Sequence, residues 1–316
     1  MTMSESALTE IAVTAASFRL NESLRQRAVE RLAPHKVVFA SDDDTATKER
    51  LIAFLRGKAA VIAGRETFDE SVLTCLPELR VISKYGVGLD NVDLAAAERF
   101  GLEVLSSPGV NAFAVAEHTL GVALALFRNI AANDRLLHTK TWRKNGGRQL
   151  RGATVAIVGL GAVGCELAKL LRAFEVELLC VDILDKHDAA AALGGRQVSL
   201  AQALELSDLV TLHVPLTDAT RHLLGSTHIS MMKKGAFLIN TSRGEVVDEA
   251  ALKAALKSGH LAGAGLDVFM GEPQVDWDLV GLSQVVGTPH TAGNSDAAVA
   301  AMGSAAIENL RSFFNI

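Results

Sequence analysis

The chain has 316 residues, long enough for two domains. Its 31 basic and 36 acidic residues give a net charge of −5, which argues against nucleic acid or an anionic membrane as partner, because both select a basic stripe. Hydrophobic residues reach 49%, ample for cores, while aromatic residues at 5% leave little for a base-stacking surface.

In chain order, the N-terminal Met1-Thr-Met-Ser-Glu-Ser6 lacks the basic and apolar regions of a secretory signal. Short aliphatic runs then predict strands at 11–15, 36–39, 59–63, 81–83 and 103–105, separated by segments of helical period. Gly86-Val87-Gly88 follows the fourth of these as a turn whose N–H groups suit a small anion, although a plain turn reads as well. Ser106-Ser107-Pro108-Gly109 breaks the chain. The segment from Asn111 to Phe127 is apolar nearly all round, so it predicts a helix buried on most sides. A second series of strands is expected at 154–158, 177–181, 209–214, 236–240, 263–266 and 285–287. Near-continuous apolar strands alternating with helices imply α/β architecture with two doubly wound parallel sheets. No apolar run approaches the roughly 18 residues of a membrane span. Cys75, Cys165 and Cys180 have neither disulfide nor metal-ligand spacing, which points to a reducing cytoplasm and to no metal.

The second series opens on a dinucleotide signal. Gly159, Gly161 and Gly164 form G-x-G-x-x-G between an expected strand and helix. The first glycine permits the turn, the second lets a pyrophosphate approach the backbone, and the third lets helix meet strand. The pyrophosphate would lie on the helix N-terminus, at Ala162 and Val163. Asp182 ends the next strand, 182 − 164 = 18 residues on, near the spacing of the acid that binds the adenosine ribose. A carboxylate there selects NAD over NADP, since it repels a 2′-phosphate. A solvated aspartate at a strand end is the alternative.

Three later strands each end on a residue of chemical interest. Arg243 lies in Asn240-Thr-Ser-Arg-Gly, Glu272 in Gly265-Leu-Asp-Val-Phe-Met-Gly-Glu-Pro, and His290 in Thr288-Pro-His-Thr-Ala-Gly293. Carboxyl ends of a doubly wound sheet face the ligand crevice. Taken singly, they also read as an ion-pair arginine, a loop carboxylate and a turn histidine. His118 and His213 lie in apolar segments and read as satisfied core histidines.

Together with Lys84-Tyr-Gly-Val-Gly-Leu-Asp-Asn-Val-Asp93, Ala116-Glu-His-Thr119 and Val214-Pro-Leu-Thr217, these motifs resemble the D-2-hydroxyacid dehydrogenase family, in particular its phosphoglycerate-dehydrogenase-like members, over nearly the whole chain. The resemblance implies a flavodoxin-like substrate domain, residues 1–107 with 292–316, and a Rossmann NAD-binding domain, residues 108–291. It implies Arg243, Glu272 and His290 as catalytic residues. It implies NAD contacts from Gly159, Gly161 to Gly164, Asp182, Val214, Pro215, Thr220, Thr241, Ser242, Arg243, Asp267, His290 and Gly293. Substrate contacts are expected from Lys84, Gly86, Val87, Gly88, Arg243 and His290. Lys84, where related phosphoglycerate dehydrogenases often carry a basic residue, and Arg65 hint at a phosphorylated or otherwise anionic hydroxyacid, and surface charge explains them equally. Trp142 lies in a loop that in related enzymes reaches a partner's active site. A homodimer is implied.

The expected reaction is interconversion of a D-2-hydroxyacid and its 2-ketoacid, of the phosphoglycerate or glycerate, hydroxypyruvate and glyoxylate type. The alternative is an NAD(H)-sensing protein like the corepressors that share this fold. Formate dehydrogenases resemble the family but pair the histidine with glutamine, so Glu272 argues against their chemistry. Only 316 − 290 = 26 residues follow His290, too few for the serine-sensing domain of some phosphoglycerate dehydrogenases. Ala162-Val163 stands where relatives often have Arg-Ile, which removes one cofactor-phosphate contact.

Overall fold

The computed structural model describes residues 8–316; the N-terminal segment read above as lacking a signal lies outside them. Two compact units divide the chain. One runs up to Asn111 and is completed by Asn294–Ile316, and the other is Ala112–Gly293.

The first unit holds β1 (Glu10–Val13), β2 (Lys36–Phe39), β3 (Ala60–Ala63), β4 (Val81–Lys84) and β5 (Glu103–Leu105). They form a parallel sheet in the order β2-β1-β3-β4-β5, the doubly wound order of flavodoxin-like folds. Alternate residues point to opposite faces. Ile11, Val13, Ala60, Ile62 and Val81 therefore join one core, and Ala12, Val61, Ala63 and Ile82 join another with Leu51, Leu55 and Val72. The first of these faces is covered in part by the C-terminal helix Asp296–Phe314, through Ala306, Ile307 and Leu310. Full burial of such a leucine or isoleucine contributes about 1.5–3 kcal/mol. Ser295 caps that helix by accepting the Ala298 N–H, and Ser83 Oγ on β4 donates to the Ala306 carbonyl at 2.9 Å. Phe18, Leu24, Ala28 and Leu32 cover the rest of that face, so the returning C-terminal helix completes one layer over the sheet.

The second unit holds β6 (Thr154–Val158), β7 (Glu177–Val181), β8 (Gly195–Gln197), β9 (Leu209–Leu212), β10 (Phe237–Asn240), β11 (Gly263–Leu266) and β12 (Val285–Gly287). The parallel order is β12-β11-β10-β9-β6-β7-β8, with its switch point between β6 and β9. This is the Rossmann arrangement with an added edge strand.

Three strands depart from expectation, and the first is β1, which ends at Val13 rather than at residue 15. β8 is absent from the predicted series, because Gly195-Arg-Gln197 is polar and carries no strand period; it forms by pairing along β7 at the sheet edge. β9 stops at Leu212, two residues early, as the chain turns toward Pro215, which has no N–H to give. The helix Ala112–Phe127 is buried on most sides, as expected, with Phe113, Glu117 and Gly121, four residues apart, forming one exposed stripe. Its inner face, with Ala116, Val122, Ala123 and Leu126, packs in the core that includes Ile157 and Ile239. Among the described residues no helix is long and apolar enough to cross a membrane.

Candidate active site

The turn after β6 is shaped by close backbone approach. Gly159 has φ +98°, and a Cβ there would come within 2.5 Å of the His213 carbonyl oxygen. A Cβ on Gly164 would collide with the Gly159 carbonyl oxygen, so the helix Ala162–Leu171 can pass this near to β6 only with glycine. At Gly161, by contrast, a Cβ would meet nothing within 4 Å, which leaves open space before the helix N-terminus. The first-turn N–H groups of Ala162, Val163 and Gly164 have no intrahelical acceptor and carry the positive end of the dipole. Asp182, just past β7, ties this turn down: one carboxylate oxygen accepts the Leu160 N–H and the other the Leu184 N–H, each at 2.9 Å. A carboxylate has about four acceptor sites, so ribose hydroxyls still find acceptors there. Together the tight turn, the open helix end and the acid fit a dinucleotide.

Three adjacent strands, β10, β11 and β12, deliver the reactive groups. At the end of β10, buried Asn240 folds the loop: its Oδ1 accepts the Ser242 N–H at 3.0 Å and the Ser242 hydroxyl at 2.8 Å, and its Nδ2 donates to the Arg243 carbonyl at 2.7 Å. Arg243 Nη1 donates to the Ser242 carbonyl at 2.7 Å, which orients the guanidinium. The Thr241 hydroxyl lies 3.1 Å from that of Thr119. Past β11, Glu272 Oε1 accepts the Phe269 N–H at 2.8 Å. Glu272 Oε2 lies 2.8 Å from His290 Nδ1, so the imidazole is held by one nitrogen and presents Nε2.

His290 adopts φ +55°, a left-handed conformation that costs a non-glycine residue of order 1–3 kcal/mol. Asp267 holds it there. The Asp267 carbonyl accepts the His290 N–H at 2.7 Å. Its carboxylate, 2% exposed with its residue, accepts from Thr288 Oγ1 at 2.6 Å, Thr291 N at 2.8 Å and Ala292 N at 2.9 Å. Thr288 spends its one proton on Asp267, so it accepts from His118 Nε2 at 3.0 Å. His118 is thus a half-buried support of the His290 loop rather than a plain core histidine. Gly293 closes this loop, half-buried beside Ala292.

Val214 and Pro215 follow β9. Thr220 Oγ1 donates to the Pro215 carbonyl at 2.6 Å and closes their turn. His213 before them is desolvated, its pKa pushed down to about 3, so it stays neutral at the edge of the cofactor turn. In the first unit, Gly86 has φ +100° at the end of β4, and Val87 and Gly88 continue that turn. Lys84 is only 4% exposed there; its ammonium donates to the Gly64 carbonyl and to Asn91 Oδ1. Arg65 is exposed beyond β3, and Trp142 is 81% exposed in the second unit. Among the described residues, no three His, Cys, Asp or Glu side chains are grouped to hold a metal ion.

Residues 120–292 match the family described as D-isomer specific 2-hydroxyacid dehydrogenase, NAD binding domain. The chain is also 40% identical to the glyoxylate reductase of Thermofilum pendens, over 87% of this chain and 84% of that protein. The chain belongs to the D-2-hydroxyacid dehydrogenase family. Its members are NAD-dependent oxidoreductases that act on a CH–OH group, and NAD is the dinucleotide that the cradle fits. A D-3-phosphoglycerate dehydrogenase of Mycobacterium bovis is 35% identical over 89% of this chain, which spans only 55% of that relative. Among solved structures, D-lactate dehydrogenase from Aquifex aeolicus, complexed with NAD and lactic acid, superposes with a TM-score of 0.86 at 26% identity, over 96% of this chain and 95% of that one.

Sequence reasoning missed Asn240 and the His118–Thr288 support. Asn240 had a local signal, because an asparagine that ends a strand before a tight loop favours side-chain bonding to its own backbone. The bond between His118 and Thr288 joins residues 170 positions apart and has no local signal.

Proposed function

We propose that this dehydrogenase interconverts a short D-2-hydroxyacid and its 2-ketoacid of the glyoxylate or hydroxypyruvate type. The observation that carries the reading is the 2.8 Å bond between His290 Nδ1 and Glu272 Oε2, at strand ends adjacent to that of Arg243. Arg243 offers a planar fork that matches a substrate carboxylate, and it polarises the neighbouring carbonyl oxygen. In reduction, His290 Nε2–H donates a proton to that oxygen, and Glu272 stabilises the imidazolium that precedes the transfer. In oxidation, neutral Nε2 takes the hydroxyl proton. When bound, the nicotinamide supplies or takes up the hydride. Asp182 and the glycine turn bind the adenosine end, while Thr241, Ser242, Asp267 and the Gly293 loop shape the nicotinamide end.

The 40% identity to the glyoxylate reductase of Thermofilum pendens supports an unphosphorylated substrate, and Lys84, 4% exposed, presents little surface to a phosphate. A panel of glyoxylate, hydroxypyruvate, 3-phosphohydroxypyruvate and pyruvate, followed by NADH absorbance, tests the reading. Turnover of glyoxylate or hydroxypyruvate is expected to exceed that of the phosphorylated ketoacid. NADH binding with no turnover of any of the four would sink it. His290→Ala should lose at least ~10²-fold in kcat and still bind NADH.

The reading includes a homodimer. The helix Ile130–His138 buries none of its residues, and Ile130, Leu137 and Trp142 present apolar surface on the same segment. Light scattering should give twice the chain mass of 33.4 kDa, and a monomer would exclude it.

A further inference from the structure

A second carboxylate stands behind the Glu272–His290 pair. Glu249 is the first residue of the helix Glu249–Lys257, which Asp248 caps by accepting the Ala251 N–H. A carboxylate is favoured at that helix end, yet Glu249 turns inward and is only 9% exposed. Its Oε1 accepts the Met270 N–H at 2.7 Å. The preceding N–H, that of Phe269, goes to Glu272 Oε1. Two carboxylates thus hold consecutive N–H groups of one turn, and the second of them holds His290.

The other side of this turn is fixed as well. Gly244, next to Arg243, lies so near the Phe269–Met270 peptide that a Cβ there would overlap the Phe269 carbonyl. One stretch of chain therefore carries Arg243, presses on the turn through Gly244 and grips it through Glu249. Burial raises the Glu249 carboxyl above its usual range, opposed by the Met270 N–H and reinforced by Asp276, Glu245 and Glu272. Lys253, one turn further along the same helix, is engaged with Asp276. A buried acid among acids is costly to keep, and here its visible work is to hold one backbone donor.

We propose that Glu249 is a positioning residue, whose carboxylate holds the Phe269–Met270 turn and thereby fixes the Glu272–His290 pair against Arg243. The proposal rests on the roles given above to His290 and Glu272.

The test compares Glu249→Ala, Glu249→Asp and Glu249→Gln in the full chain, with NADH and whichever of glyoxylate and hydroxypyruvate turns over faster. Glutamine keeps an oxygen for the Met270 N–H, aspartate withdraws it, and alanine removes it. Alanine and aspartate should lower kcat about 10-fold or more, with the KM for NADH unchanged. Glutamine should restore kcat to within a few-fold. Should the alanine variant fail to fold, the aspartate and glutamine pair decides. Lower melting temperatures with wild-type kcat would make Glu249 a purely structural residue and overturn the proposal. His290→Ala and Glu272→Gln run alongside. Wild-type turnover in both would remove the reading of the site and this proposal with it. Loss in both, without loss in the Glu249 variants, would overturn this proposal alone.

Discussion

Glu272→Gln keeps the size of the side chain and removes its charge, so it isolates what the carboxylate does. In the native protein one oxygen takes the Phe269 N–H and the other meets His290 Nδ1, both at 2.8 Å. A carboxamide has one oxygen for these two positions. The Phe269 N–H is always a donor, so the oxygen stays there and the amide NH2 faces Nδ1. Nδ1 must then accept, Nε2 carries the proton and the ring is held neutral. An imidazolium would aim N–H at N–H. The bond lost is charge-assisted and contributes about 1.5–3 kcal/mol. The Glu272 side chain is only 14% exposed, so solvent does little to weaken it. That range corresponds to a fall of about 10- to 150-fold in kcat for ketoacid reduction. Oxidation should fall too, because a protonated Nε2 cannot take the hydroxyl proton. Steady-state rates across pH in both directions, with NADH affinity from fluorescence titration, make the assay. NADH affinity should not change. A variant with kcat within threefold of wild type and the same pH dependence would refute the assignment of the His290 tautomer and its use.

Other outcomes follow from the cofactor turn and the core. Asp182→Ala strips the acceptor from the Leu160 and Leu184 N–H groups, so NADH should bind at least ~10-fold more weakly and the preference over NADPH should narrow. Calorimetric titration of both cofactors checks this, and an unchanged ratio would contradict it. Gly164→Ala forces a Cβ onto the Gly159 carbonyl and should cost about 1–3 kcal/mol of stability, with weaker NADH binding, seen by denaturant unfolding and titration. His213, held down to about 3 by desolvation, stays neutral when folded, whereas the unfolded chain protonates it below about 6.5. Its contribution to stability is complete above that pH and declines as pH falls, by about 1.4 kcal/mol per unit at most. From pH 7 to 5 the loss is about 2 kcal/mol, and His213→Gln should remove it. Parallel pH slopes in urea unfolding of wild type and variant would disprove the effect.

Local pattern was enough for much of this protein. Aliphatic runs with intervening helical period located eleven of the twelve strands among the described residues, because a strand covered on both faces must be apolar along its length. The glycines of the 159–164 turn were legible from their spacing; Gly159 and Gly164 answer a local steric demand, and Gly161 leaves open space before the helix. Arg243, Glu272 and His290 were legible as residues at strand ends, since a parallel sheet presents all those ends on one edge. Strand β8 was not legible, because its residues form a strand only where the β7 edge receives them. The fate of the charged groups was decided by tertiary structure alone. Lys84 read as a substrate contact, and the fold bonds its ammonium to Gly64 and Asn91, which lie in separate segments. Glu249 carried no local signal, because only the fold brings the Met270 N–H of the β11 turn against it. Sequence fixes which groups a strand or turn can carry, through sterics and hydrophobic period that act over a few residues. Whether a charge is solvated, paired or spent on a backbone donor depends on partners far away in the chain, and only the fold brings those within bonding distance.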